Sequence, residues 1–179
     1  MSGTCPDRCK FAIVKPVHKK GKLDEMNNYR PISLLPAISK ILESIMYKRL
    51  LQHLEINKIL TPAQYGFHTN VHINDAIFNL LNNITHLLDQ RKHVGGIFCD
   101  ISKAFDCVNH ATLLAKLHYY GVRGSCLSWF ESYLEHRKQK TCLSSNKSDI
   151  ETSSNWEEVS DGVTTGLYFR TLAFLNSFE

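Results

Sequence analysis

Two helical periodicities limit what this chain can fold into. From Pro36 onward, Ile38, Ile41, Leu42, Ile45, Met46, Leu50 and Leu54 recur at spacings of three and four. That pattern predicts an amphipathic helix of about five turns, with Pro36 suited to its start. Ile73, Ala76, Ile77, Leu80, Leu81, Ile84, Leu87 and Leu88 predict a second helix over residues 72–90. Short apolar runs flank the pair, Phe11–Val14 before it and Val94–Cys99 after it, each the length of a strand. Pro16 to Lys22 reads as a basic loop, and Arg30–Ser33 as extended chain, because a residue before proline avoids the helical region. Further on, His110–Tyr120 reads as a helix stopped by Gly121, and Ser125–His136 as another. Arg137–Leu143 and Glu157–Val163 read as strands. The order strand, helices, strand, helices, strands predicts an α+β fold with no internal repeat.

Composition excludes several classes. At 179 residues, 43% hydrophobic and 21% charged, the chain suits one domain with a core or two small lobes. No apolar run approaches a membrane span, and the first residues lack an apolar stretch of signal-peptide type. The expectation is an intracellular protein, cytoplasmic or nuclear, with no membrane partner. Charge is uneven: residues 1–50 carry a net +6 and the remainder a net −2. A basic first third suits a polyanion such as nucleic acid or nucleotide phosphate, or is simply a solvated lysine-rich face. Of the six cysteines no pair has CxxC spacing, and Cys99, inside an apolar run, reads as core. Cys5, Cys9 and His18 match no closed zinc pattern.

The apolar run 94–99 closes on Asp100, and Asp106 follows six residues later. A carboxylate leaving a buried strand is held by rigid backbone, and paired acids on a strand and its following turn can bind Mg²⁺. Asp106 can equally cap the helical turn after it.

The stretch Phe98-Cys99-Asp100-Ile101-Ser102-Lys103-Ala104-Phe105-Asp106-Cys107-Val108-Asn109-His110 resembles the first catalytic palm motif of reverse transcriptases from non-LTR (LINE-like, jockey-type) retrotransposons. Asn28–Pro36 resembles the fingers motif of that family, Ser39–Glu43 the helix after it, and Gln64-Tyr65-Gly66-Phe67 the next block. Ser132-Tyr133-Leu134 with Arg137-Lys138-Gln139 resembles the approach to the second palm motif. The blocks run in family order from about residue 12 to residue 163.

The resemblance implies a right-hand polymerase: fingers over residues 1–92, a partial palm over 93–163 and an aberrant tail over 164–179, with helix-rich fingers and a small incomplete antiparallel sheet. It implies an RNA-directed DNA polymerase, a nucleotidyltransferase that uses an RNA template, a DNA primer, dNTPs and two Mg²⁺ ions. By position, Asp100 matches the first metal-binding aspartate, assisted by the carbonyl of Ile101. Phe105 matches the aromatic gate beneath the sugar. Arg30 matches the arginine that clamps the triphosphate, and Lys19 and Lys20 the basic residues near it. Asp106, Gln64 and Gly66 match structural positions near the site.

The chain departs from the family in three places. His68 stands where an Arg is common, which lowers the charge there at neutral pH. Thr164 and Thr165 replace the Pro and Gln of the second palm motif. Phe169–Ser177 replaces an apolar segment, and a coding sequence can be written for it that restores the family pattern when read one base later, as a frameshifted element would show. The paired aspartates of the palm hairpin do not occur in these residues. Two neighbouring divalent cations repel and need bridging carboxylates, so the chain alone is expected to be inactive. The alternatives are a non-catalytic nucleic-acid-binding fragment and a non-functional retroelement remnant.

Overall fold

The computed structural model describes residues 3–66, 71–100, 106–144 and 151–163. The chain divides into two compact units, residues 1–51 with 103–179, and residues 52–102.

The first unit is built on a sheet. Its strands are β1 (Phe11–His18), β2 (Tyr29–Leu34), β3 (Lys138–Ser144), β4 (Glu151–Ser153) and β5 (Glu157–Glu158). The order is β2-β1-β3-β4, with β5 paired to the other end of β3. β1 and β2 are antiparallel, whereas β1 and β3 run parallel from Phe11 opposite Lys138 to Val14 opposite Thr141. The sheet is therefore mixed, not antiparallel as expected. Parallel neighbours need a long crossover, and here the four described α-helices lie in sequence between the two strands.

Two strand boundaries also move. The Pro16–His18 part of the expected basic loop is strand, with Pro16 opposite Pro31 where neither residue has an N–H to donate. The expected strand at Glu157–Val163 shortens to β5 and a single bridge between Asp161 and Asn109.

The described residues form four α-helices, α1 (Ala37–Ile56) and α2 (Ile73–Asp89) where the periodicity predicts them, and α3 (His110–Tyr119) and α4 (Ser125–Leu134), the last ending two residues earlier than expected. α3 is capped by Asn109, whose side chain accepts from the Thr112 N–H at 3.0 Å, and ends before Gly121 at φ +89°. The cap is thus Asn109 and not Asp106. α3 and α4 bury Leu113, Leu117, Trp129, Phe130, Tyr133 and Leu134.

α1 buries the later part of the face its apolar spacing suggests, at Met46, Leu50 and Leu54, but not the earlier part. Ile38, Ile41 and Ile45 are exposed, whereas Ser39, Glu43, Met46, Leu50 and Leu54 form the buried stripe. Two polar residues sit at core positions, and their partners lie far along the sequence.

The second unit buries less. α2 has the expected amphipathic pattern but no buried residue. Residues 92–100 have no regular structure, so the expected strand at Val94–Cys99 does not form. Ile97 is 92% and Phe98 88% exposed, and Cys99 is exposed and not core. An apolar run becomes a strand only where a neighbour completes its ladder, and among the described residues none pairs with this one.

Candidate active site

The hairpin between β1 and β2 presents the basic residues. Lys19 and Lys20 follow β1 directly, and Arg30 lies in β2 opposite Val17; all three are exposed. Two polar side chains shape the loop between them. Asn28 Nδ2 donates to the Lys22 carbonyl at 2.9 Å, and the Tyr29 hydroxyl donates to the Leu23 carbonyl at 2.8 Å. The Lys19 N–H closes the hairpin on the Asn28 carbonyl at 2.8 Å. Gly21, at φ +86°, completes the turn, and a Cβ there would meet Asn28 Nδ2 at 2.6 Å. Asn28 and Tyr29 belong to the fingers-like block, and their work is to fold this loop.

Pro31, next to Arg30, lines a cavity of about 370 Å³. Strands supply Val14, Ser33, Gln139 and Thr141 to its walls, and two loops supply Asp106 and Val159 to Val163 except Ser160. Those loops are pinned together. Asn109 bridges Asp161 and donates from Nδ2 to Asp161 Oδ1 at 3.3 Å. The Gly162 N–H donates to the Val108 carbonyl at 2.8 Å, and His110 Nε2 lies 2.7 Å from the Gly162 carbonyl oxygen. Gly162 has φ +83°, and a Cβ there would come within 2.9 Å of the Asp106 carbonyl oxygen. Only glycine fits, because both the dihedral and the close backbone approach exclude a side chain.

This volume lies in the range of small-molecule sites. Ser33, Gln139 and Thr141 offer neutral hydrogen-bonding groups, suited to sugar hydroxyls or base edges. Asp106 and Asp161 make the adjoining wall acidic, which disfavours a phosphate at that point. Asp161 was not anticipated from the sequence, although it directly precedes the Gly162-Val163 pair.

The expected residues fall in different compact units or outside the described residues. Asp100 is exposed at the end of the irregular stretch and belongs to the second unit, whereas Arg30, Lys19, Lys20 and Asp106 belong to the first. Ile101, Phe105, His68, Thr164, Thr165 and the 169–177 segment lie outside the described residues. Gln64 donates to the Gly66 carbonyl at 3.1 Å and lines a separate cavity with Tyr65, Asp75 and Asn79. Asn79 donates to the Tyr65 hydroxyl at 2.8 Å, so that block ties its loop to α2. Among the described residues no three of His, Cys, Asp and Glu come together as a metal site. Among the described residues, therefore, no set of donors fits a pair of divalent cations. No described helix is long and apolar enough to cross a membrane.

Comparison with known proteins places these parts. Residues 17–176 match the family described as reverse transcriptase (RNA-dependent DNA polymerase). The chain is 33% identical over 140 residues to a probable RNA-directed DNA polymerase from transposon BS of Drosophila melanogaster, covering 74% of this chain and 15% of that protein. It is 32% identical over 140 residues to the probable polymerase of the X-element from the same organism, with the same coverage. Against the RNA-directed DNA polymerase of the mobile element jockey, also of D. melanogaster, it is 33% identical over 115 residues, covering 64% of this chain and 13% of that protein. The chain thus spans about 15% of the length of the first two relatives. The cavity is formed where the block containing Asp106 packs against the Gly162-Val163 pair, both inside the matched region, and the chain belongs to the reverse transcriptase family in its non-LTR retrotransposon branch.

Proposed function

We propose that this chain is the nucleotide- and template-facing part of an RNA-directed DNA polymerase, with residues 1–92 acting as fingers and 93–163 as part of the palm. The observation that carries this reading is the docking of Asp106–Val108 onto Gly162, which makes a nucleotide-sized cavity beside Pro31 of the fingers-like block. The base or sugar of a dNTP enters between Ser33, Gln139 and Thr141. Its phosphates face the hairpin, where Lys19 and Lys20 carry positive charge; Arg30 leaves the opposite face of β2 from Pro31 and Ser33, so its guanidinium fork reaches the site round the edge of that strand. Phe105 is the candidate gate against a ribose 2′-hydroxyl. Asp100 and the Ile101 carbonyl are the candidate metal ligands by family position. Because the described donors do not fit a cation pair, no catalytic step is assigned to Mg²⁺.

The test is fluorescence anisotropy of a labelled dNTP with the full 179-residue chain at low salt. Binding is expected, with at least about tenfold weakening by Arg30→Ala, as loss of a charge-assisted contact predicts. Ser33→Trp, which fills the cavity, is expected to abolish binding. Equal affinity in all three proteins contradicts the reading.

A second reading, nucleic-acid binding without catalysis, is favoured by the exposed cations of the same hairpin, Lys19, Lys20, Lys22 and Arg30. It predicts RNA binding that weakens steeply with salt and needs no open cavity, so Ser33→Trp leaves it intact.

A further inference from the structure

Three sequence blocks converge on one buried cluster through residues to which the nucleotide reading gives no substrate contact, Ser39, Glu43, Tyr133 and Arg137. The blocks are Ser39–Glu43 on α1, Ser132–Leu134 at the end of α4, and Arg137–Gln139 leading into β3. Glu43 is 1% exposed and Arg137 2%. The Tyr133 hydroxyl donates to Glu43 Oε1 at 2.7 Å across 90 residues of sequence. Ser39 Oγ lies 3.4 Å from the same carboxylate oxygen and 3.2 Å from the Cys9 carbonyl oxygen. The Arg137 guanidinium sits over the Tyr133 ring, 4.3 Å from its centroid, and Nη1 donates to the Tyr133 carbonyl at 3.3 Å.

The backbone around Arg137 ties this cluster to the cavity. The Lys138 N–H donates to the Lys10 carbonyl at 3.0 Å, which sets β3 against the start of β1. The Val159 N–H donates to the Arg137 carbonyl at 2.9 Å on the other side. Val159, Gln139 and Thr141 all line the cavity.

We propose that Glu43, Tyr133 and Arg137 form a buried positioning cluster that fixes the head of β3 and so holds Gln139, Thr141 and Val159 in the cavity wall. The inference concerns the wall itself and stands whether or not the cavity takes a nucleotide. The Arg137 charge acts on the Glu43 carboxyl and favours its ionised form, so the two are buried electrostatic counterparts. Glu43 Oε2 and Arg137 Nη2 are buried without a hydrogen-bond partner among the described residues.

The cluster is sensitive to pH. Burial raises the proton affinity of Glu43 above the ordinary carboxyl value, while the Tyr133 hydrogen bond, Arg137, Ser39 and Lys40 pull it down. Cys5 also faces Glu43 electrostatically, but burial pushes its thiol up to about 11, so it stays neutral.

Amide NMR of the full chain across an acid titration, without nucleotide, tests the proposal. The amides of Lys138, Thr141 and Val159 are expected to share one midpoint above 4.5, the ordinary value for Glu. Glu43→Gln is expected to flatten that response. Tyr133→Phe, which keeps both charges, is expected to raise the midpoint by about half a pH unit or more through loss of one hydrogen bond. A titration at these amides that persists in Glu43→Gln overturns the proposal. Where Glu43→Gln does not fold, the Tyr133→Phe midpoint decides, and an unmoved midpoint overturns it.

Discussion

Asp100 and Asp106 belong to one sequence block, yet they lie in different compact units and in different surroundings. Around Asp106 the backbone is engaged: Val108 and His110 bond Gly162, and Asn109 bridges Asp161. Before Asp100 the residues are as apolar as a core strand and stand exposed, without a ladder. The difference teaches that hydrophobicity selects a strand only when a partner backbone is at hand. In this chain the partner for the second half of the block is the 159–163 segment, and among the described residues the first half has none.

The comparison can be broken by substitutions on either side. Arg137→Met should have the largest effect, because it leaves Glu43 buried without its counter-charge beside the backbone that holds Val159. A loss of about 3–5 kcal/mol is expected in denaturant unfolding. Adding Glu43→Gln should recover part of it, and strict additivity would show that the two charges do not interact. Gly162→Ala comes next, at about 1–3 kcal/mol, from a strained positive φ and the contact with the Asp106 carbonyl. Unfolding midpoints identical to the parent chain would show that the two loops are not docked.

Asn109→Ala should cost about 1 kcal/mol through loss of the α3 cap, together with the weaker contact to Asp161. The pH response sharpens the same side. The folded chain binds a proton at Glu43 more tightly than the unfolded chain does. Stability linked to this group is therefore fully present below the unfolded value of 4.5 and is lost as pH rises through the raised folded value. Mild acidification from neutral pH should stabilise the parent chain relative to Glu43→Gln, and parallel melting curves for the two would contradict this. The smallest effect belongs to the other side. Phe98→Ser, at an exposed and unpaired position, should change stability by no more than about 0.5 kcal/mol.

The sequence made the helices legible because their signal is local. α1 and α2 follow apolar spacing, and Gly121 marks the end of α3 as expected. The inward face of α1 was legible at Met46, Leu50 and Leu54 but not in its first turns. Ser39 and Glu43 occupy core positions because Cys9 and Tyr133 satisfy them, and those partners are 30 and 90 residues away. Parallel pairing of β1 with β3 was hidden for the same reason. Within the candidate site, motif resemblance picked out Arg30, Lys19, Lys20 and Asp106, of which Asp106 lines the cavity. It did not pick out Asp161, Gln139 and Thr141 as wall residues, since only the fold brings them beside Pro31 and Ser33.

Primer extension measures most directly whether this polypeptide has a working cation pair. The purified 179-residue chain should be supplied with RNA template, annealed DNA primer, dNTPs and Mg²⁺, with Asp100→Ala run beside it. The expected result is no product above that of the Asp100→Ala protein, because a lone motif aspartate cannot hold two mutually repelling divalent ions. Template-directed incorporation by the parent chain, lost in Asp100→Ala, would contradict it.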